Sequence, residues 1–211
     1  LVITTHSPHV ISESGFESIR YFDRSAEKLK VKNLANFEGS SSPETIRFLR
    51  QYMTLYRCDI FFADKIILIE GVVERLLLPK MIEMEAAELT HQYISVIEVG
   101  GAYAQNFKDI LEFINVKTLV ISDIDSIDSA SRKKCEVSAG DKTSNAVLSK
   151  WLPNKELLKD LLSCPEKNKI ISKIRIAYQI PSTKGSKSGR SFEEAFILEN
   201  ADVLAYFCLK E

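Results

Sequence analysis

Two short apolar runs in the middle of this chain stop abruptly in carboxylates. Ile66-Ile67-Leu68-Ile69 is followed by Glu70-Gly71, and Leu119-Val120-Ile121-Ser122 by Asp123-Ile124-Asp125. Runs of this length, rich in Ile and Val, read as buried strands of a parallel sheet. Around them the pattern predicts a strand over 65–69, a helix over 71–87, a strand over 93–99 ending at Gly100-Gly101, a helix over 103–114 and a strand over 117–122. Crossover helices of this kind force parallel strands and right-handed connections. Upstream, 1–5 reads as a strand, a short helix starts near Pro8, and the alternation over 20–34 predicts a hairpin. Gly39-Ser40-Ser41-Ser42-Pro43 signals a linker or helix start. Ile46, Leu49, Met53 and Tyr56 then fall at helical spacing over 42–57. Downstream, 128–142 reads as a flexible polar loop, 154–162 as a helix and 169–180 as a fourth strand stopping at Pro181. A Gly/Ser-rich loop over 182–189 opens into a helix carrying Phe192, Ala195, Phe196 and Leu198.

With 211 residues, 45% apolar and 27% charged, the chain has the composition of a globular α/β domain with an appendage. No apolar run reaches the ~20 residues of a membrane span. Cys58, Cys135, Cys164 and Cys208 are scattered, with no CxxC pair, so reduced thiols are expected and a zinc site is not. The opening residues resemble the middle of a strand and lack an initiator Met, so a fragment of a larger protein is expected. A net charge of −1 argues against nonspecific polyanion binding by the whole surface. Between Pro165 and Arg190, however, seven basic residues (Lys167, Lys169, Lys173, Arg175, Lys184, Lys187, Arg190) face one acid, Glu166. Such a stretch is either a phosphate-contacting footprint or a solvated face.

Ligands of parallel sheets gather at the carboxyl ends of the strands, so Glu70, Asp123 and Asp125 are expected to share one rim. Glu74, four residues after Glu70, reaches the same rim from the first helical turn, although an acid there also complements the helix dipole. Carboxylates crowded together repel unless protonated or bridged by a cation, and Mg²⁺ favours an all-oxygen site. Asp123 and Asp125 lie two apart and point to one side if the chain stays extended, with Ile124 facing the core.

Ile69-Glu70-Gly71 followed two strands later by Asp123-Ile124-Asp125 resembles the Toprim domain shared by topoisomerases, bacterial primases and a group of nucleases. Val2-Ile3-Thr4-Thr5-His6-Ser7-Pro8-His9 is similar to the histidine-switch segment that ends an ABC- or SMC-type ATPase head. An ATPase head followed by Toprim is the plan of the OLD (overcoming lysogenization defect) nucleases, close to that of the nuclease subunit of the Gabija anti-phage system. Cys58–Asp64, Val99-Gly100-Gly101-Ala102 and Gly189-Arg190-Ser191-Phe192-Glu193-Glu194-Ala195-Phe196 agree with that group. The resemblance implies a Rossmann-like α/β parallel sheet with helices on both faces. It divides the chain into an ATPase-head remnant (1–36), a linking helix (37–64) and a Toprim nuclease domain (65–211).

Carried over position by position, the resemblance makes Glu70 and Glu74 ligands of one metal. Asp123 and Asp125 serve a second or bridge the two, and Glu193 (or Glu194) is a late ligand. Lys187, or else Lys184, is the catalytic lysine, and Lys173, Arg175, Lys184 and Arg190 follow the DNA backbone. Glu70, Asp123, Asp125 and Lys187 form the catalytic set. The implied chemistry is DNA cleavage or nicking with two Mg²⁺ or Mn²⁺ ions, one activating water and the other stabilising the leaving 3′ oxygen. A bacterial cytoplasmic protein of phage defence or DNA repair is implied, with DNA, an ATPase head and a helicase-like or other protein as partners and no membrane.

No G-x-x-x-x-G-K-[ST] loop occurs in the chain, so ATP binding is not expected of these residues and His6 is a remnant of the switch. Two rival readings are a Toprim DNA-binding module without activity and a haloacid-dehalogenase-type phosphatase using Asp123. The second leaves Glu70-Gly71 unexplained.

Overall fold

A computed structural model describes residues 1–23, 28–40, 42–55, 58–100, 104–152, 155–183 and 185–203. The centre is a five-stranded sheet of order β4-β3-β5-β10-β9, with β3 at Lys65–Ile69, β4 at Ile94–Glu98, β5 at Lys117–Ile121, β9 at Ile170–Ile171 and β10 at Ile174–Ala177. All neighbours are parallel except the edge pair β9–β10. From β3 the chain steps outward to β4 through α4 (Val72–Glu85). It steps back past β3 to β5 through a 3₁₀ turn and α5 (Lys108–Ile114). Because these steps run in opposite directions, right-handed crossovers put α4 and α5 on opposite faces.

The two faces can be read from the side chains of β3. Ile66 and Leu68 join the larger core with Ile97, Ile110, Ile114 and Val120. That core also takes Leu34 and Phe37 of α2 (Leu34–Ser40) and Ile46 and Leu49 of α3 (Pro43–Leu55). Phe107 is its aromatic centre, with T-shaped contacts to Phe48 and Tyr52 at 5.7 and 4.9 Å. Ile67 and Ile69 face the other way and pack under Leu78 and Ile82 of α4. The continuous apolar run over 66–69 is therefore required by burial on both faces.

Several expected elements differ. Residues 1–5 form no strand, and Leu1, Val2 and Ile3 are exposed, since no described residue pairs with them. A short helix α1 (Pro8–Glu13) follows, and His6 is exposed. The hairpin is present as β1 (Arg20–Asp23) and β2 (Lys30–Asn33), a sheet of its own. Of the segment 39–43, expected to be a linker or a helix start, Gly39-Ser40 end α2 and Pro43 starts α3. Tyr56 lies outside the described residues, as does the side chain of Met53. The expected loop over 128–142 instead contains β7 (Lys133–Lys134) and reaches β8 (Lys142–Thr143), both paired with β6 (Ser126–Asp128). Asp128 and Asp141 organise it by accepting hydrogen bonds from the Ser131 and Ser129 hydroxyls at 2.6 and 2.5 Å. Polar composition had concealed these side-chain-stabilised turns.

Of the helix expected over 154–162, α7 (Leu158–Leu162) is present, and a helix that was not expected, α6 (Ala146–Trp151), precedes it. The expected strand over 169–180 folds into the β9–β10 hairpin, turning at Ser172 in the left-handed region (φ 54°). The final described helix, α8 (Phe192–Glu199), starts where Phe192 was placed. No helix among the described residues is long and apolar enough to cross a membrane.

Candidate metal centre

β3 and β5 are adjacent, yet their crossovers leave in opposite directions, so a crevice opens beyond their carboxyl ends. Glu70 and Asp123 sit at this point, one and two residues past their strands. The Glu70 Oε1 atom accepts three hydrogen bonds: from the Asp123 backbone N–H (3.0 Å), the Ser122 hydroxyl (2.5 Å) and the Asn145 side-chain amide (2.9 Å). The two strand ends are thus tied together through one carboxylate oxygen, and among the described residues Glu70 Oε2 has no such partner.

Asp123 is held in a similar way. Its Oδ1 accepts from the Gln179 amide and from the Phe192 backbone N–H, both at 2.8 Å. Gln179 is itself fixed because its Oε1 accepts from Ile124 N–H at 2.8 Å. Burial raises the Asp123 pKa first and the charge of Glu70 second, with a smaller contribution from Asp125. The two hydrogen bonds act the other way, and the balance is pushed up to about 7. Ile124 is fully buried, as expected.

Glu74 projects back from the first turn of α4 and is buried at 3% exposure, with Oε2 lacking a partner among the described residues. Its pKa is raised, chiefly by burial and then by the charges of Glu193 and Glu70. The backbone of Gly71 is extended (φ −148°), a conformation open to any residue. What the missing side chain provides is room, because a Cβ there would stand 3.3 Å from Glu74 Oε2.

Asp125 departs from the extended geometry expected of it. Its backbone is left-handed (φ 45°), so it does not simply repeat Asp123 along a strand. Its Oδ1 accepts from Arg190 Nη2 at 3.1 Å, and its N–H donates to the Arg190 carbonyl at 3.1 Å. Arg190 therefore lies against an acid of the site, with its Nε buried and unpartnered among the described residues.

Glu193 and Glu194 have separate tasks in the first turn of α8. Glu194 Oε2 accepts from the Arg190 N–H (2.8 Å) and its own N–H donates to Ser191 Oγ (3.3 Å), a capping arrangement. Glu193 is exposed and near enough for its charge to act on Glu74.

The basic residues do not make one track. Lys187 is largely exposed, 4.0 Å from Glu136. Lys184 lies outside the described residues. Arg175 pairs with Glu166, and Lys173, just before β10, donates to the Asn115 carbonyl (3.0 Å) at the opposite rim from the acids. Lys169 is buried, 2.6 Å from Glu166 and 4.8 Å above the Tyr178 ring. The β9–β10 hairpin divides the stretch between the two ends of the sheet.

Asn145 carries much of the organisation and was not foreseen. Its Oδ1 accepts from Val147 and Leu148 N–H and caps α6. Its Nδ2 reaches Glu70 Oε1, Ser122 Oγ (3.0 Å) and the Asp123 carbonyl (2.8 Å). Ser122 and Gln179 were missed as well. An Asn before Ala-Val-Leu is a capping signal, and Ser122 immediately precedes the acids, but no spacing rule connects positions 70, 122, 145 and 179.

Among the described residues, no three His, Cys, Asp or Glu side chains are arranged to enclose an ion as they stand. The donor set nevertheless suits a hard cation. It offers carboxylate oxygens only, one of them buried without a partner among the described residues, and burial together with its like charges raises two pKa values.

Gly189 closes the site from the α8 side. A Cβ there would meet Ala195 N at 2.3 Å and Ala195 Cα at 2.7 Å, backbone atoms that cannot swing away. Gly189→Ala is therefore expected to push the loop off α8, disturb the Phe192–Asp123 hydrogen bond and destabilise the protein by roughly 1–3 kcal/mol, measured by urea unfolding.

Residues 61–125 match the family model described as Overcoming lysogenization defect protein-like, TOPRIM domain. Residues 61–125 therefore match a Toprim domain of the OLD type, and the mostly parallel sheet with helices on both faces agrees with that fold. The chain is also 30% identical to Endonuclease GajA of Bacillus cereus (strain HuB5-5) over 217 residues, which is 95% of this chain. It spans 31% of that relative's length.

Proposed function

We propose that this chain is the Toprim part of an OLD-type endonuclease that cleaves or nicks DNA in a divalent-metal-dependent reaction. The observation that carries the reading is the tie between strand ends, in which Glu70 Oε1 accepts the Asp123 N–H. It brings Glu70 and Asp123 together, as a shared metal site would require. The name of the similar relative, an endonuclease, supports the same chemistry.

Glu70, Glu74, Asp123, Asp125 and Glu193 would hold Mg²⁺ or Mn²⁺, in two sites on this reading. Such ions supply an activated water and charge stabilisation at the scissile phosphate. The chain's own residues orient that set. Ser122 and Asn145 fix Glu70, Gln179 and the α8 N-terminus fix Asp123, and Arg190 neutralises Asp125. Arg190, being already at the acids, is better placed than exposed Lys187 to face a phosphate. Residues 1–36 and 37–64 are read as a segment of an ATPase head and its linking helix. The separate β1–β2 sheet supports this division. ATPase coupling and a role in phage defence or repair belong to the same proposal.

Supercoiled plasmid incubated with the 211-residue chain and Mg²⁺ or Mn²⁺, beside an EDTA control, tests the activity. Metal-dependent nicking is expected, with no turnover of a small phosphomonoester. Phosphomonoester turnover without nicking would favour the phosphatase reading. A folded protein that binds duplex but leaves plasmid intact under every condition would favour the inactive DNA-binding module.

Asp123 also gives the site a pH dependence. Cation binding requires its carboxylate form, so Mn²⁺ affinity is expected to rise as pH climbs through about 7 and to level off above it. The stability effect has the opposite sign. Between about 3.8 and about 7 the folded state holds the proton more tightly than the unfolded chain, so Asp123 makes stability fall as pH rises through that window. Metal titrations and urea melts at pH 6, 7 and 8 check both directions.

A further inference from the structure

The other end of the same sheet has the opposite charge. Lys65 and Lys117 are direct partners in the β3–β5 register, and Lys173 immediately precedes Ile174, which pairs with Thr118 of β5. Three lysines thus form a row across the amino ends of three adjacent strands, with neighbouring backbones about 4.8 Å apart. Side chains alternate along these strands, and Ile66, Thr118 and Ile174 are buried. Lys65, Lys117 and Lys173 therefore share the face that carries Ile67 and Leu119.

Like charges directly opposite one another destabilise a sheet unless something neutralises them. Lys65 Nζ donates to the neutral Gln92 side chain and Lys173 Nζ to the Asn115 carbonyl, while Lys117 is exposed and has no ion pair among the described residues. Two acids share this space, one of them in an ion pair with a further lysine. Asp23 is held by Lys32 at 2.7 Å, and Asp64 accepts the Tyr93 N–H at 3.0 Å. The three lysines, both acids and Asn115 line a cavity of about 340 Å³.

We propose that this cavity is an anion site for a phosphate-bearing ligand, separate from the acidic crevice at the carboxyl rim. The cavity is of small-ligand size. Its three lysines stand side by side at a sheet edge and line one cavity, and two of them rest on neutral acceptors that they can share with a phosphate oxygen. Either a free phosphorylated molecule or the backbone of a nucleic acid presents this chemistry. The site does not depend on the nuclease reading.

The test is calorimetric titration of inorganic pyrophosphate into the 211-residue chain at low ionic strength. The wild type is compared with Lys117→Ala/Lys173→Ala and with Lys133→Ala/Lys134→Ala, an exposed pair on β7. Saturable binding is expected, weakened at least about tenfold in the first variant and unchanged in the second. Thermal melting without ligand confirms that both variants are folded. Should the first variant prove unfolded, Lys117→Ala alone is expected to lose several-fold affinity. Absence of saturable binding, or an equal loss in the β7 variant, would overturn the proposal. Competition by a short duplex assigns the site to nucleic-acid backbone, and pyrophosphate binding that duplex leaves unaffected assigns it to a free anion.

Discussion

Asp123→Asn is expected to slow metal-dependent cleavage on the order of a thousandfold while leaving the protein at least as stable as the wild type. The two effects separate because the substitution preserves shape and removes charge. An Asn oxygen still accepts from Gln179 and from Phe192 N–H, so α8 and the loop before it stay docked. The charge that disappears is one the fold disfavours, since burial and the neighbouring Glu70 hold the Asp123 pKa up at about 7. At pH 8 the wild type carries that unfavourable charge and the variant does not. A carboxylate retained against a stability penalty is the signature of a group kept for chemistry. Urea unfolding and plasmid nicking at pH 8 make the comparison. A variant that is both less stable and fully active would show that Asp123 merely supports the fold.

Asn145→Ala is expected to have the second-largest effect, although Asn145 is not among the acids. Loss of the α6 cap costs about 1 kcal/mol. Removing the Nδ2 donor withdraws hydrogen bonds from Glu70 Oε1, Ser122 Oγ and the Asp123 carbonyl in a buried setting, at a further ~1–3 kcal/mol. Glu70 also loses the partner that turns it, so Mn²⁺ affinity is expected to fall roughly 10- to 100-fold, the range for residues that orient ligands. Asn145→Ser separates the two roles. Serine restores an N-cap but is too short to reach Glu70, so stability is expected to recover in part and metal affinity not at all. Joint recovery of both would indicate that Asn145 acts only through α6.

The parts of this architecture legible in the sequence were those dictated by local pattern. Burial of β3 on both faces wrote itself as four consecutive apolar residues, and the crossover helices followed from spacing. Strand-end acids pointed to the rim, and α8 began at Phe192 as its capping residues require. What the pattern concealed was long-range or side-chain-driven. The β6–β7–β8 sheet is built from strands of two or three residues closed by Asp and Ser side chains, which composition alone renders as loop. The Ser172 turn splits what looked like one strand. At the site, Asn145 meets Glu70 from 75 positions away and Gln179 meets Asp123 from 56, separations at which no periodicity operates. Lys173 and Arg190 looked like members of one basic run, yet the hairpin sends them to opposite rims.

The most direct measurement is where a cation settles. In ¹H–¹⁵N spectra of the 211-residue chain, substoichiometric Mn²⁺ broadens amides close to the ion. The expected result is selective loss of the Glu70, Gly71, Asp123 and Phe192 signals at low Mn²⁺, reversed by EDTA and absent in Asp123→Asn. Broadening that begins instead at the exposed Asp128–Asp141 turns, with the β3 and β5 ends untouched, would contradict a metal centre at the carboxyl rim.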